Sequence, residues 1–225
     1  MNLALTRRMT AEFLGSALLA ALVIGSGIAA QRLSPSDTGL QLLENALVTA
    51  MGLPVLILIF GPISGAHFNP AVSLVDSVTG LRSWRDTAAY IPSQVVGCIA
   101  GAALANLMFG DPAITISTTD RLTPGHFLAE IVATTGLLLT IFVLAKTDRA
   151  SVTPWAVGAY IGAAYFFTSS ASFANPAITV GRMFSDTFAG IAPTSAPGYI
   201  AAQLVGVVVA LGLLRWFYPR AKSRR

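Results

Sequence analysis

The chain has 225 residues, of which 54% are hydrophobic and only 11% charged, whereas a soluble domain carries about 25% charged residues; a water-soluble globule is excluded before any motif is read. The formal net charge of +4 does not signal nucleic acid, because the basic residues lie at the ends of apolar runs and not on one patch. The single cysteine, Cys98, sits inside an apolar run and cannot form an intrachain disulfide, and no His/Cys/Asp/Glu group has metal-ligand spacing, so neither a metal nor another cofactor is implied.

Six stretches are long and apolar enough to span a bilayer, at 10–30, 40–60, 88–108, 127–145, 154–170 and 198–217. Arg7-Arg8 before the first run imitates a signal peptide, but the run is too long for an h-region, contains Glu12 and is followed by five more. It reads as the first span. Between the second and third spans the chain runs SGAHFNPAVSLVDSVTG from Ser64, and between the fifth and sixth it runs SFANPAITVGRMFSDTF from Ser172. Both contain Asn-Pro-Ala (Asn69, Pro70, Ala71; Asn175, Pro176, Ala177) followed by a β-branched and a hydroxyl residue (Val72-Ser73; Ile178-Thr179). Asn before Pro starts a helix: Asn caps it, and Pro takes the first helical position, where its missing N–H costs nothing. Each segment predicts a helix of roughly eleven residues, about 16 Å long. That is about half of a hydrocarbon core roughly 30 Å thick.

Other residues repeat in step with these segments. Ala11-Glu12 opens the first span and Ala129-Glu130 the fourth; Gln94-Val95-Val96-Gly97 lies in the third and Gln203-Leu204-Val205-Gly206 in the sixth. The chain therefore reads as one transmembrane domain over 1–225, built of a repeat at about 8–109 and another at about 125–218. Three spans per repeat is an odd number, so the second copy enters the membrane inverted, with two broken helices meeting near the midplane. Alternate connections carry eleven basic residues on one side (Arg7, Arg8, Arg82, Arg85, Lys146, Arg149, Arg215, Arg220, Lys222, Arg224, Arg225) and three on the other (Arg32, Arg121, Arg182). The asymmetry predicts a multi-pass protein of the cell membrane with both termini cytoplasmic.

A carboxylate inside a span is costly unless its acceptors are used. Glu12 and Glu130 read as structural anchors that accept hydrogen bonds from unwound backbone ahead of each short helix; the competing reading is a proton relay. Small residues four apart (Gly97 and Gly101, Gly158 and Gly162, Gly206 and Ala210) predict close helix contacts. His67 and His126 have no clustered ligands and read as satisfied polar residues, and Cys98 as a small packing residue. Two Asn side chains on opposed helix N-termini would place NH₂ donors in a narrow passage, with the positive ends of the helix dipoles beside them. Such a site hydrogen-bonds a neutral oxygen-bearing solute and repels cations. No nucleophile–base pair or phosphate-cradling loop competes with it, so no enzyme is expected.

The duplicated Asn-Pro-Ala, the Ser-Gly-Ala-His-Phe lead-in at Ser64, the Ala-Glu pairs and the two Gln-x-Val-Gly stretches resemble the major intrinsic proteins, the aquaporins and glycerol facilitators, over essentially the whole chain. The resemblance implies an all-α fold of six transmembrane helices plus two re-entrant half-helices, a homotetramer in the lipid bilayer with one pore per protomer, and pore asparagines at Asn69 and Asn175. Members usually carry Arg directly after the second Asn-Pro-Ala; here that position is Ile178. Ungapped counting puts the other filter positions at Thr49, Ala163 and Ser172, while an insertion near Ala163 would bring Tyr165 or Phe166 there instead. Neither the Phe, His and small-residue set of water-selective members nor the Trp, Gly, Phe set of glycerol facilitators is present. Arg182, one turn after Ile178, reads either as a partner of Asp186 or as a vestibule cation standing in for the missing charge. The expected function is a passive channel for small neutral solutes: water, glycerol, urea or metalloid hydroxides such as arsenite. The rivals are a strict water channel, a proton-coupled transporter and an occluded membrane-junction protein.

Overall fold

The computed structural model describes residues 3–219; Arg220, Lys222, Arg224 and Arg225, which contribute to the charge asymmetry, lie outside them. All regular structure among the described residues is helical: α1 (Leu3–Leu33), α2 (Thr38–Ser64), α3 (Pro70–Val78), α4 (Trp84–Met108), α5 (Pro124–Lys146), α6 (Thr153–Phe167), α7 (Pro176–Gly181) and α8 (Ala196–Phe217). The starts follow local chemistry. Asp37, Ser83 and Thr123 cap α2, α4 and α5 by accepting the N–H three residues on, at 2.9, 3.1 and 3.1 Å, and Pro occupies the first turn of α3, α5, α6, α7 and α8. Gly65, at φ 92°, ends α2 in the left-handed conformation.

Five helices (α1, α2, α4, α5 and α8) are long and apolar enough to cross a membrane. The fifth expected span is shorter: α6 has 15 residues and stops at Phe167 rather than at 170, because Thr168 turns the chain into extended backbone leading back inward. The re-entrant helices are shorter than the eleven residues expected. α3 has nine. α7 has six before the backbone tightens into a 3₁₀ turn at Arg182–Phe184. Gly181 marks this change, since it lies so close to α4 that a Cβ would come within 2.8 Å of the Cys98 carbonyl oxygen.

The packing repeats in the two halves. α1 lies on α2 and α4, α5 lies on α6 and α8, and α2 meets α6 across the division. In lipid no hydrophobic force drives helices together, so close backbone approach matters most. A Cβ at Gly97 or Gly101 would strike the carbonyls of Phe13 or Ala17 on α1, and one at Gly158 would strike the Ala50 carbonyl on α2. At Gly206 it would lie 3.0 Å from the Ile131 carbonyl oxygen on α5. α3 and α7 fill the interior, α3 against α4, α5 and α8, and α7 against α1, α4 and α8. The start of α1 and the end of α8 fall on one face, called the terminal face below. Arg8–Asp86 at 2.8 Å ties α1 to α4 there, and Arg32–Asp111 at 2.9 Å ties α1 to the α4–α5 connector on the far face.

Candidate functional site

The two short helices meet N-terminus to N-terminus, and each is closed by the same set of bonds. The Asn69 side-chain oxygen accepts the Ala71 N–H at 2.8 Å, and its amide nitrogen donates to the Ala174 carbonyl at 2.8 Å. The Asn175 oxygen accepts from the Ala177 and Ile178 N–H groups at 2.9 and 3.3 Å, and its nitrogen donates to the Phe68 carbonyl at 2.8 Å. Each asparagine thus caps its own helix and ties it to the other repeat. An amide nitrogen has two hydrogens, so one N–H of each remains for the cavity that both residues border.

The extended segments leading into these helices are held by Glu12 and Glu130, both fully buried. Glu12 accepts from Ser64 Oγ (2.6 Å), His67 N (3.0 Å), Phe68 N (2.8 Å) and Gln94 Nε2 (2.8 Å). Glu130 accepts from Ser170 Oγ (2.7 Å), Phe173 N (2.9 Å), Ala174 N (2.8 Å) and Gln203 Nε2 (2.7 Å). The same glutamines reach on to Ser73 and Thr179, both at 3.0 Å, which bond back to the Asn69 and Asn175 carbonyls. Ala66, Phe68, Ser172 and Ala174 take φ of 47 to 50°, so that successive N–H groups turn toward a carboxylate. Among the described residues no donor reaches the carbonyls of Gly65, Ala66 and His67, or of Ala171, Ser172 and Phe173. Most of these residues line the cavity.

That cavity, about 220 Å³, runs past both asparagines and takes wall residues from both repeats. Apolar side chains such as Leu19, Leu53, Ile57, Leu137 and Val157 form much of it. Thr49, Ser172, Ile178 and Arg182 lie on the wall, and the buried Ser172 hydroxyl has no partner among the described residues. Ala163 does not: it is exposed on the outer side of α6, and Ile161 and Tyr165 of the same helix line the cavity in its place. The reason is the helical period, since 161 and 165 share a face that 163 does not. Phe166 also points outward, 53% exposed. The Tyr165 hydroxyl lies 3.1 Å from Thr49 Oγ, linking α6 to α2.

Arg182 is buried and does not pair with Asp186, whose carboxylate instead takes the Thr118 N–H at 2.9 Å. Its Nε donates to the Ala189 carbonyl, its guanidinium carbon sits 3.4 Å from the centroid of the Phe173 ring, and among the described residues no acceptor engages its terminal nitrogens. Toward the terminal face the wall includes Asp76, held by Arg82 at 2.9 Å and by His67 at 3.2 Å. The ring of His67 is also 2.9 Å from Ser73 Oγ. Sequence reading passed over Asp76, although it stands seven residues, two turns, after Asn69 and so on the same helix face. Cys98 is buried where α4 meets α1 and Gly181.

Comparison with known proteins gives a consistent picture. The family model for major intrinsic proteins matches residues 1–172 and 150–225. Aquaglyceroporin AqpS of Rhizobium meliloti (strain 1021) is 50% identical over 218 residues, covering 97% of this chain and 93% of that protein. The glycerol uptake facilitator protein of Streptococcus pneumoniae (strain ATCC BAA-255 / R6) is 29% identical, covering 90% of this chain and 94% of its own length. Among solved structures, the aquaglyceroporin from Plasmodium falciparum superposes with a TM-score of 0.70 at 22% identity, over 93% of this chain and 95% of that one, which establishes a shared fold. The matching family model and the AqpS relative, together with the paired half-helices, place this multi-pass membrane chain in the major intrinsic protein family.

Proposed function

We propose that the protein is a passive channel for water and for neutral solutes somewhat larger than water, of the class of glycerol, urea or undissociated metalloid hydroxides such as arsenite. The observation that carries this reading is the pair of Asn69 and Asn175 amides, each with one N–H left over, in a largely apolar cavity joining the two repeats. A neutral hydroxyl-bearing solute can accept from these donors and give its own protons to the free carbonyls of 65–67 and 171–173. An ion gains too little there to replace its hydration. α7 is too short for a strong macrodipole, so a cation barrier rests more on Arg182.

The proposed selectivity filter is Thr49, Tyr165, Ser172, Ile178 and Arg182. Ile178 holds the position after the second Asn-Pro-Ala, and Arg182 brings a guanidinium to the wall from one turn further on. The aquaglyceroporin and glycerol-facilitator relatives favour a solute larger than water. A strict water channel is the second reading, favoured by the Tyr165–Thr49 link and the Arg182–Phe173 stack, which hold bulky side chains on the cavity wall. A homotetramer with cytoplasmic termini completes the proposal, supported by the family and by the basic residues of the terminal face. Light scattering of proteoliposomes challenged in turn with sucrose, glycerol and urea separates the readings: measurable glycerol entry supports the first, and water passage alone supports the second.

A further inference from the structure

Arg121, in the connector between α4 and α5, is absent from the cavity wall, yet it grips the loop that holds Arg182. Its Nε donates to the Gly190 carbonyl at 2.6 Å and its Nη2 to the Phe188 carbonyl at 2.7 Å. Arg182 Nε takes the carbonyl between them, that of Ala189. Two guanidiniums therefore fix three successive carbonyls. They also share one ring: the guanidinium carbon of Arg182 lies 3.4 Å and that of Arg121 5.8 Å from the Phe173 centroid. Phe173 is in turn pinned through its N–H by Glu130 at 2.9 Å.

The backbone of Arg121 is fixed as well. Its N–H donates to Ser195 Oγ at 3.0 Å, and its carbonyl meets His126 Nδ1 and accepts from the Tyr199 hydroxyl. Among the described residues neither arginine has a carboxylate partner. Asp120 accepts from Thr194 and Ser195 hydroxyls at 3.0 and 2.9 Å, and Asp186 from Thr118. Arg182 is buried and Arg121 half-buried; an unpaired cation withdrawn from water is costly, so their retention beside the proposed filter asks for a role.

We propose that Arg121 is a positioning residue of the selectivity filter: its fork locks the 188–190 carbonyls so that Ala189 and Phe173 hold the Arg182 guanidinium at the cavity wall, and its charge reinforces the cation barrier from behind. The inference rests on the reading of Arg182 as the filter cation. It requires a fork, because two carbonyls two residues apart are bridged by a planar guanidinium and not by the single ammonium of lysine.

The test uses the full-length chain in proteoliposomes, with the glycerol-to-water permeability ratio and the cation leak measured for wild type, Arg121→Gln, Arg121→Lys, Arg182→Ala and the Arg121→Gln/Arg182→Ala double variant. Arg121→Gln is expected to raise both readouts in the direction of Arg182→Ala. The shift should be on the order of tenfold, the population change produced by losing a hydrogen bond to a charged group. In the glycerol-to-water ratio the double variant should go no further than Arg182→Ala alone, because there Arg121 acts through Arg182; its cation leak should exceed that of Arg182→Ala, because the Arg121 charge is lost as well. Arg121→Lys, keeping charge without the fork, should shift the solute ratio while leaving the leak near wild type. If Arg121→Gln does not accumulate, Arg121→Lys carries the test, and an unchanged solute ratio overturns the proposal. Wild-type behaviour of both Arg121 variants beside a shifted Arg182→Ala overturns the role of Arg121 and leaves the filter reading standing. An Arg182→Ala variant that shifts neither readout removes the filter reading and the proposal together.

Discussion

Replacing Glu130 by alanine removes the acceptor of four buried donors at once: Ser170 Oγ, Phe173 N, Ala174 N and Gln203 Nε2. The hydroxyl and the amide can rotate to other partners, but the two backbone N–H groups are fixed in a loop whose φ values are already left-handed at Ser172 and Ala174. An orphaned buried donor costs about 1–3 kcal/mol, so the two together imply a loss of roughly 2–6 kcal/mol. Glu130→Gln behaves differently. Its remaining oxygen serves one pair of donors, and its NH₂ faces either Ser170, whose hydroxyl can turn to accept, or Gln203, whose own Oε1 lacks a partner and can be swung in. One backbone N–H is then left over, for about 1–3 kcal/mol. Thermal unfolding in detergent should therefore rank wild type above Glu130→Gln above Glu130→Ala, with water permeability falling in the same order. Glu12 makes the matching four bonds and should show the same ranking. Gln as damaging as Ala, or a wild-type flux that follows an imposed pH gradient and vanishes in Glu130→Gln, would refute the anchoring role in favour of a proton relay.

Asn69→Ala and Asn175→Ala each lose a helix cap, worth about 0.5–2 kcal/mol, and a bond to the other repeat; both should cut water conduction while the protein still accumulates. Permeability equal to wild type in both would remove the asparagines from the pathway. Tyr165→Ala opens the wall beside Thr49 and should raise the glycerol-to-water ratio, whereas Ala163→His, on the exposed side of α6, should leave it unchanged; the opposite pattern would return the filter position to 163.

What could be read from the chain was whatever the duplication wrote twice. Ala-Glu, Asn-Pro-Ala and Gln-x-Val-Gly recur because each carboxylate must meet the same four kinds of donor in both repeats, and matching residue types announce matching bonds. The small-residue pairs were legible for a similar reason, since only Gly lets α4 approach the α1 carbonyls. The proposed filter is where the repeats diverge, and there an ungapped count lands on a residue off the cavity wall. Distance along the chain from Asn175 carries no information on which face of α6 turns inward; the four-residue spacing of Ile161 and Tyr165 decides that. The burial of Arg182 depends on the 3₁₀ turn that tightens after Gly181, which a continuous helix of eleven residues would have hidden. Arg121 had no local signal at all. It lies in a connector without periodicity, and its partners are carbonyls 67 to 69 residues away, which no pattern of side chains encodes.

The central claim, a passive channel through the asparagine junction for neutral solutes larger than water, is tested most directly by one stopped-flow series on wild-type and Asn175→Ala proteoliposomes under sucrose and then glycerol gradients, with and without a pH gradient. The account predicts fast water efflux and measurable glycerol entry for wild type, both reduced by Asn175→Ala and both indifferent to the pH gradient. Vesicles that pass water but exclude glycerol, or uptake that requires the pH gradient, would contradict it.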